Sequence, residues 1–303
     1  MSHTAACTAA APLRAQIVDW FTRNARELPW RASDRTAWGV LVSEVMLQQT
    51  PVVRALPAWT AWMARWPTPG EVAAASPADV LRAWGRLGYP RRALRLKECA
   101  AVIAADYGGV VPRDEAALRA LPGIGAYTAA AVVAFAYGGR SVVLDTNVRR
   151  VLARTLAGDA LPAPSQPAAE VRTATQIMPS DPAAAAAWAA ASMELGALVC
   201  TARAPQCNAC PVQARCAWHQ AGRPADVHAD RRRTQAWAGT DRQARGRVMA
   251  LLRDAPGAVS LAEVAALWPD AAQLRGCLRA LVADGLIEEL PTAAYRLPLT
   301  APA

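Results

Sequence analysis

Four cysteines crowd into one short stretch of the 303-residue chain and are its strongest chemical signal. They follow the spacing Cys200-x6-Cys207-x2-Cys210-x5-Cys216, whereas the other three cysteines are scattered. Four soft thiolates at this spacing predict a metal site, and their softness fits zinc and an iron–sulfur cluster equally well. The pattern is unlike a disulfide framework, so we expect a reducing compartment such as the cytoplasm.

Two acidic residues stand beside apolar runs of the sequence. Glu44 lies inside the segment SEVMLQQT, and Asp145 follows the apolar start of VVLDTNVRR. Taken alone, Glu44 fits the solvent-facing side of a helix, and Asp145 fits the N-cap of the helix after it. A buried carboxyl group in either place is instead a candidate for acid–base chemistry. The two segments taken singly leave both interpretations open.

The segment LPGIGAYTAAA predicts a helix, a tight turn and a second helix. Gly123 and Gly125 allow the backbone to turn sharply. The free N–H groups at the start of the second helix can hold a phosphate of DNA. The segment is therefore a helix-hairpin-helix signature, and a plain turn between two helices is the alternative.

The composition predicts a mainly α-helical protein with a polyanionic partner. The chain is 53% hydrophobic and 19% charged, which excludes wholesale disorder. Its 33 basic residues exceed its 24 acidic residues, and every basic residue except Lys97 is arginine. The resulting net charge of +9 favours nucleic acid as the partner. The alanine-rich stretch 182–200 contains Glu194, so we expect a buried helix there and no membrane span; the first fifteen residues lack a signal-peptide pattern.

Residues 13–220 form one predicted helical domain, which ends in the cysteine loop 200–216. A polar linker over 221–240 contains Arg231-Arg232-Arg233, and residues 241–300 predict three helices followed by a hairpin, the order of a winged helix. Arg275 and Arg279 share one face of the third helix, so this C-terminal module is a candidate for added phosphate contacts. A stabilising or protein-docking role is the alternative. Apolar residues at helical spacing would form its core: Val248, Leu251, Leu252, Leu261, Val264, Leu267, Leu274, Leu278, Leu281 and Val282.

The order of the motifs resembles one family closely. SEVMLQQT, GRLGYP, LPGIGAYTAAA, LDTNVRR and the cysteine loop occur in the order seen in the helix-hairpin-helix DNA glycosylases, and within them the chain resembles the adenine DNA glycosylases of the MutY type. The resemblance covers roughly residues 13–220. It implies a helix-hairpin-helix glycosylase fold with an iron–sulfur subdomain, and it favours a [4Fe–4S] cluster on the four cysteines. It also implies a monomer that acts on duplex DNA with adenine opposite 8-oxoguanine or guanine.

The resemblance implies a catalytic role for four residues. Glu44 would protonate adenine at N7, and Asp145 would stabilise the sugar cation or bond to it transiently, with Tyr127 and Asn147 orienting them. The chemistry agrees, because cleavage of an N-glycosidic bond needs a proton donor for the leaving base and an ionised carboxylate beside the cationic sugar. Lyase relatives carry a lysine where this chain has Tyr127, so the resemblance implies hydrolysis without an amine nucleophile.

The resemblance also implies which residues contact DNA. The target base must leave the stack before the enzyme reaches it, and Gln49 and Tyr89 match positions that wedge into the duplex. Ordinary core packing is the alternative for Trp30 and Leu87. The positions assigned to the adenine pocket are Arg26, Trp30, Arg31 and Glu194. Those assigned to the opposite base are Thr50 and Leu87, and the rest of the DNA interface includes Gln48, Gly123 and Gly125.

The chain departs from the family pattern in two places. Pro90-Arg91-Arg92 follows Tyr89 where a second tyrosine is usual, which changes a loop beside the duplex. About sixty residues with a winged-helix pattern stand where many relatives have a MutT-like domain that helps to recognise 8-oxoguanine. Two other functions therefore stay open: a mismatch thymine DNA glycosylase, and a non-catalytic iron–sulfur protein that binds DNA.

Overall fold

The computed structural model describes residues 3–231 and 237–300 and is mainly helical, as the sequence predicts. A π-helical turn, Ala153–Ala157, continues the ninth helix. Within the described ranges, no helix is both long enough and apolar enough to cross a membrane. The α-helices of these ranges are α1 (His3–Asn24), α2 (Ala37–Leu47), α3 (Val52–Arg65), α4 (Pro69–Ala74), α5 (Pro77–Trp84), α6 (Arg91–Asp106), α7 (Glu115–Ala120), α8 (Ala126–Tyr137), α9 (Thr146–Leu152), α10 (Ala168–Ile177), α11 (Pro182–Leu198), α12 (Ala217–Gln220), α13 (Asp241–Asp254), α14 (Leu261–Ala265) and α15 (Ala271–Ala283).

Several helices begin where the sequence supplies an N-cap side chain. Thr68 and Ser260 form capping boxes with the glutamates three residues later, and these boxes start α4 and α14. Asp181 accepts a hydrogen bond from the backbone N–H of Ala184 and starts α11, with Pro182 at the first helical position. Local sequence therefore fixes where these helices begin.

One compact unit is built around the alanine-rich helix α11. It comprises the described residues of Met1–Val40, Arg113–Ala116 and Gly125–Thr234. Helix α11 packs against α1, α8 and α9, and Ile17, Val151, Ala191 and Leu195 are buried between these helices. The predicted buried helix in this stretch is therefore confirmed. Small side chains on α11 let its neighbours approach closely, which sets the position of α9.

The second compact unit comprises Leu41–Pro112, Ala117–Ile124 and the described residues of Gln235–Ala303. Trp62 lies in its core, with the ring of Trp66 at 4.9 Å and that of Trp84 at 6.1 Å, both edge-to-face. Helix α6 packs against α4 and α5, and α13 of the C-terminal module packs against α5. The C-terminal module thus shares a unit with α3–α6. The predicted domain boundaries, 13–220 and 241–300, stay a prediction.

The C-terminal module has the three helices and the hairpin that the sequence predicts. Its strands are β1 (Val259–Ser260), β2 (Glu288–Leu290) and β3 (Ala294–Arg296), and they form an antiparallel sheet in the order β1-β3-β2. Tyr295 of β3 pairs with Val259 on one side and with Glu289 on the other. Strand β1 lies between α13 and α14 and was not predicted, because two residues carry no alternating pattern.

For two residues of the C-terminal module, the predicted burial in its core is wrong. Leu261 is 41% exposed and Val282 is 37% exposed. Leu261 begins the single-turn helix α14, and Val282 follows Leu281, which takes the buried face of α15. The predicted residues that are buried are Val248, Leu252, Val264, Leu274, Leu278 and Leu281.

The arginine run of the linker is only partly described. Arg231 is exposed at the end of a short 3-10 helix, Ala229–Arg231. Arg232 and Arg233 lie outside the described residues. A contact of this run with phosphate stays a prediction.

Candidate active site

Asp145 of the first unit is the N-cap of α9. Its Oδ1 accepts hydrogen bonds from the backbone N–H groups of Asn147 at 3.0 Å and Val148 at 2.7 Å. Its Oδ2 accepts one from the side-chain amide of Asn147 at 2.6 Å. Burial raises the pKa of Asp145, and these hydrogen bonds offset part of that shift. The N-cap alternative is confirmed, and the capping role leaves the carboxylate in a partly desolvated setting that suits chemistry.

Arg150 connects Asn147 with the cysteine loop and was not predicted from the sequence. Its Nη2 donates to Oδ1 of Asn147 at 2.8 Å and to the carbonyl of Gly196 at 2.6 Å. Its Nε donates to the carbonyl of Cys200 at 2.6 Å. The side chain that holds Asp145 is therefore itself held by a buried arginine. The only sequence signal was the i, i+3 spacing of Asn147 and Arg150 on α9.

Gly196 brings α11 against the start of α9. A Cβ atom on Gly196 would lie 2.7 Å from Cβ of Asn147 and 2.8 Å from its carbonyl oxygen. Real Cβ atoms do not come this close to a backbone, so only glycine fits here without a shift of α9. Helix packing thus fixes the position of Asn147 relative to α11.

Glu194 lies at the centre of a charged cluster in the same unit. Its side chain is fully buried and accepts hydrogen bonds from Nε and Nη2 of Arg26, both at 2.7 Å, and from Nη2 of Arg31 at 3.0 Å. Burial alone would raise the pKa of Glu194, but the two arginines hold it at about 2. The structure brings these three predicted pocket residues together. Trp30, between the arginines in sequence, is buried, as its packing alternative requires.

Tyr127 and Lys97 bear on whether an amine nucleophile is present. Tyr127 is half-buried in the first turn of α8 and packs against a cluster that contains Ala130 and Val143. Lys97 belongs to α6 of the second unit, and its Nζ donates to the carbonyl of Ala73 at 2.7 Å. Burial lowers the pKa of Lys97. The single lysine thus joins α6 to α4.

The predicted hairpin has the turn that its glycines require. Gly123 has a φ of +75°, and a Cβ atom there would lie 2.8 Å from Cβ of Arg95. Gly125 is the N-cap of α8, and both glycines are exposed. The two helices and the turn are therefore present, and contact of Gly123 and Gly125 with phosphate stays a prediction.

Glu44 of the second unit is buried in α2. It is 5% exposed, and its neighbours Val42, Val45 and Met46 are buried with it. The solvent-facing alternative is therefore wrong. A carboxyl group that is removed from bulk water in this way is a candidate proton donor.

The two predicted wedge residues have unusual backbones. Gln49 has a φ of +55° and Tyr89 a φ of +48°, and both are exposed. Non-glycine residues avoid this left-handed region unless the surrounding structure holds them in it. Thr50 and Leu87, next to them, are buried, and Oγ1 of Thr50 donates to the carbonyl of Leu87 at 3.2 Å. Thr50 and Leu87 join the two wedge segments, and their contact with a base stays a prediction.

Arg92 also joins these two segments. No role was predicted for it, because it belongs to the segment that departs from the family pattern. Its Nη1 donates to the carbonyl of Gln48 at 2.6 Å and to that of Val45 at 2.8 Å. Its Nη2 donates to the carbonyl of Gly88 at 3.1 Å. Burial lowers the pKa of Arg92 to about 10, which leaves the side chain charged at neutral pH. One guanidinium group thus fixes both turns.

The four cysteines of the loop line one common cavity in the first unit. Nη1 of Arg154 donates to Sγ of Cys200 at 3.3 Å, and Arg154 also lies 4.6 Å from the ring of Trp218. Burial raises the pKa of the Cys210 thiol to about 11. Among the described side chains, no three His, Cys, Asp or Glu residues form a group that could hold a metal ion. A shared cavity lined by four thiols fits a multi-atom cluster.

Comparisons with known proteins agree with this geometry. Residues 42–176 match the model of the HhH-GPD superfamily of base excision DNA repair proteins. The chain is 50% identical over 284 residues to the adenine DNA glycosylase of Mycolicibacterium smegmatis, covering 93% of this chain and 94% of the relative. It is 32% identical over 212 residues to the thymine-DNA glycosylase of Aeropyrum pernix, covering 68% and 94%.

A solved structure supports the fold. The chain matches that of a thermostable thymine-DNA glycosylase with a TM-score of 0.62 and 26% identity, over 70% of this chain and 96% of that one. The fold and the hairpin are those of the helix-hairpin-helix DNA glycosylases. Within that superfamily, the chain belongs to the family of adenine DNA glycosylases.

Proposed function

We propose that the protein removes adenine mispaired with 8-oxoguanine or guanine by hydrolysis of the N-glycosidic bond. The observation that carries this proposal is the 50% identity to an adenine DNA glycosylase over 93% of the chain. The thymine-DNA glycosylase relative is only 32% identical and covers less of the chain. The substrate is duplex DNA, and the protein acts as a monomer on chromosomal DNA in the bacterial cytoplasm.

The proposed reaction uses the two carboxyl groups in different roles. Glu44 donates a proton to N7 of adenine, so that the base leaves with the electron pair of the C1′–N9 bond. Asp145 stabilises the positive charge that develops on the sugar. Water then adds to C1′ and loses one proton, which balances the proton that Glu44 gave to the base. Asn147 and Tyr127 orient these groups. The hydrogen bond from Asn147 to Oδ2 of Asp145 supports this role.

Hydrolysis without a covalent amine intermediate follows from two residues. Tyr127 stands where lyase relatives carry the lysine nucleophile, and a phenol cannot form an imine. Lys97, the only lysine of the chain, donates to the carbonyl of Ala73 between α4 and α6. The product is therefore an intact strand with an abasic site.

The proposed DNA interface includes the two wedge residues. Gln49 and Tyr89 wedge into the duplex, which their exposed, left-handed backbones support. The phosphate-binding N–H groups belong to the start of α8. By the same resemblance, Arg26, Trp30, Arg31 and Glu194 would line the adenine pocket and Thr50 and Leu87 would touch the opposite base. Gln48, Gly123 and Gly125 would belong to the rest of the DNA interface.

The four cysteines of the loop would hold a [4Fe–4S] cluster. Cys200, Cys207, Cys210 and Cys216 line a common cavity, and four thiolates are the usual ligands of such a cluster. When bound, the cluster supplies iron–thiolate bonds that cross-link the loop. Arg154 would offset part of the negative charge of the thiolates, because its guanidinium group donates to Sγ of Cys200.

A glycosylase assay on matched duplexes tests the proposal. The duplexes carry A:8-oxoguanine, A:G, T:G or only normal pairs, and strand breaks are measured before and after alkali. We expect breaks in the first two duplexes, only after alkali, and no covalent adduct with borohydride. Excision from T:G alone would favour the thymine glycosylase, and binding without excision would favour the non-catalytic protein.

A further inference from the structure

The C-terminal module contacts the loop that carries the proposed wedge Tyr89. Cζ of Arg242, in the first turn of α13, lies 5.0 Å from the centre of the Tyr89 ring and 5.5 Å from that of the Trp237 ring. Tyr89 is 42% exposed and Trp237 is 54% exposed. An exposed cation therefore contacts two exposed aromatic rings, one of which belongs to the proposed DNA interface.

A second contact anchors the module beside the same loop. Asp284, at the C-terminal end of α15, forms an ion pair with Arg91, whose Nη1 lies 3.2 Å from its Oδ1, and also pairs with Arg245 of α13. Arg91 begins α6, two residues after Tyr89. The segment in which the chain departs from the family pattern, Pro90-Arg91-Arg92, is thus the segment that meets the module.

Tyr89 needs such support more than an ordinary loop residue does. Its φ of +48° and the φ of +81° at Gly88 place two successive residues in the left-handed region. Arg92 contacts the Tyr89 ring at 5.5 Å and holds the backbone of Gly88, and Arg242 adds a contact from the module. A ring held in one orientation loses less conformational freedom when it enters the duplex.

We propose that the C-terminal module is a positioning element for the wedge residue Tyr89 and that it acts through Arg242. The module thereby raises the rate at which the target base leaves the stack. Arg242 is a positioning residue, because it acts through the Tyr89 ring and not through a phosphate or the reacting atoms. This inference rests on the proposed function, in which Tyr89 enters the duplex.

A double-mutant cycle in the full-length protein tests the proposal. Arg242→Ala, Tyr89→Ala and the double variant are compared for single-turnover adenine release from A:8-oxoguanine duplex at saturating enzyme. An exposed cation–π contact corresponds to a change of about three-fold, so we expect Arg242→Ala to slow release by about that factor. In the Tyr89→Ala background, Arg242→Ala should change the rate no further, because the ring that it positions is absent.

Two further readouts separate positioning from other roles of Arg242. The fluorescence of 2-aminopurine beside the target adenine reports unstacking, and its rise should be slower in Arg242→Ala. The salt dependence of duplex binding should stay that of the wild type, because Arg242 neutralises no phosphate. A salt slope lowered by about one phosphate with unchanged 2-aminopurine kinetics would overturn the proposal.

Arg247→Ala is the matched control. Arg247 lies on the same helix, is exposed, and contacts a tryptophan ring, that of Trp268, at 5.2 Å. It changes the charge by the same amount without touching Tyr89, so adenine release should equal that of the wild type. Asp284→Ala tests the second anchor and should slow release in the same direction. Equal rates for wild type, Arg242→Ala and Asp284→Ala would refute the inference, whereas an inactive wild type would refute the proposed function instead.

Discussion

Asp145 shows how one residue combines a structural and a chemical role. As the N-cap of α9, it accepts hydrogen bonds from two backbone N–H groups that have no partner within the helix. Those N–H groups and the helix dipole favour the ionised form, while burial disfavours it. The carboxyl group thus lies in a partly dry setting, where its ionised form would interact more strongly with a sugar cation than it would in water.

Asp145→Asn should separate the two roles. Asparagine caps helices as well as aspartate does, so α9 stays intact. Loss of the charge should slow adenine release by about a hundred-fold or more at saturating enzyme. A near wild-type rate would contradict the role assigned to Asp145.

The same variant should change how stability depends on pH. Because the folded-state pKa of Asp145 is raised above its ordinary value of 3.8, its favourable contribution to folding is present below that value and is lost as the pH rises through the folded pKa. An asparagine at this position does not titrate, so the variant does not lose this contribution as the pH rises. We therefore expect its melting temperature at neutral pH to equal or exceed that of the wild type, measured with the Asn variant and the wild type at pH 4.5 and 7. A Tm at pH 7 clearly below the wild-type value would contradict the sign of this shift.

Glu44→Gln isolates the proton donor. Glutamine keeps the size and the hydrogen-bonding capacity of the buried side chain but supplies no acidic proton. Adenine release should fall by about 10²–10⁴-fold, while affinity for the A:8-oxoguanine duplex stays close to that of the wild type in an electrophoretic binding assay. If release persists at the wild-type rate, another group protonates the base.

At the scale of helices, the contact between α9 and α11 determines where Asp145 lies. Gly196→Ala would place a Cβ atom 2.7 Å from Asn147, so α9 must shift by several tenths of an ångström. We expect a lower melting temperature and slower adenine release. Gly276→Ala, in α15, is the matched control, because nothing lies within 4 Å of its Cβ position. There the same change should stabilise the helix by about 0.5–1 kcal/mol, and a loss of activity equal to that of Gly196→Ala would contradict the argument.

The proposed cluster should stabilise the cysteine loop. Cys207→Ser should bleach the yellow-brown colour expected of the protein and lower its melting temperature, because one of four iron ligands is removed. Cys7→Ser, a half-buried cysteine of α1, is the control and should keep the colour. Iron and sulfide are measured after anaerobic purification. Stoichiometric zinc without iron would overturn the cluster assignment.

Helices and motifs could be predicted from the sequence because their signals are local. Apolar spacing, N-caps and glycine turns predicted the hairpin and the helices of the C-terminal module. The roles of Arg150 and Arg92 could not be predicted. Each donates hydrogen bonds to backbone carbonyl groups that are distant in sequence, and such contacts leave no periodic pattern. The burial of Glu44 was likewise undecided, since a helix pattern alone does not show which face is covered.

At the scale of the whole molecule, the net positive charge is distributed unevenly along the chain. Residues 223–303 contain eleven arginines and nine acidic residues, so most of the net charge of +9 lies in residues 1–222. Within the C-terminal region, several charges pair internally, as Arg245 does with Asp284 and Arg296 with Glu288. Phosphate contacts by the module therefore stay a prediction, and its contact with Tyr89 left no signal in the sequence.

A chain that ends at Gly222 tests how much the C-terminal region adds to DNA binding. If Arg231-Arg232-Arg233 and the arginines of α15 bind phosphates, the truncated protein should bind duplex more weakly. The slope of log affinity against log salt should then flatten by about 0.9 for each phosphate that the shortened chain no longer neutralises. Adenine release at saturating enzyme should fall no further than in the variant that combines Arg242→Ala with Asp284→Ala, because Glu44 and Asp145 remain. Cluster absorption serves as the control for folding. A protein that neutralises fewer phosphates must also release fewer counterions. Unchanged affinity and an unchanged slope would therefore show that the region binds no phosphate and has the positioning role alone.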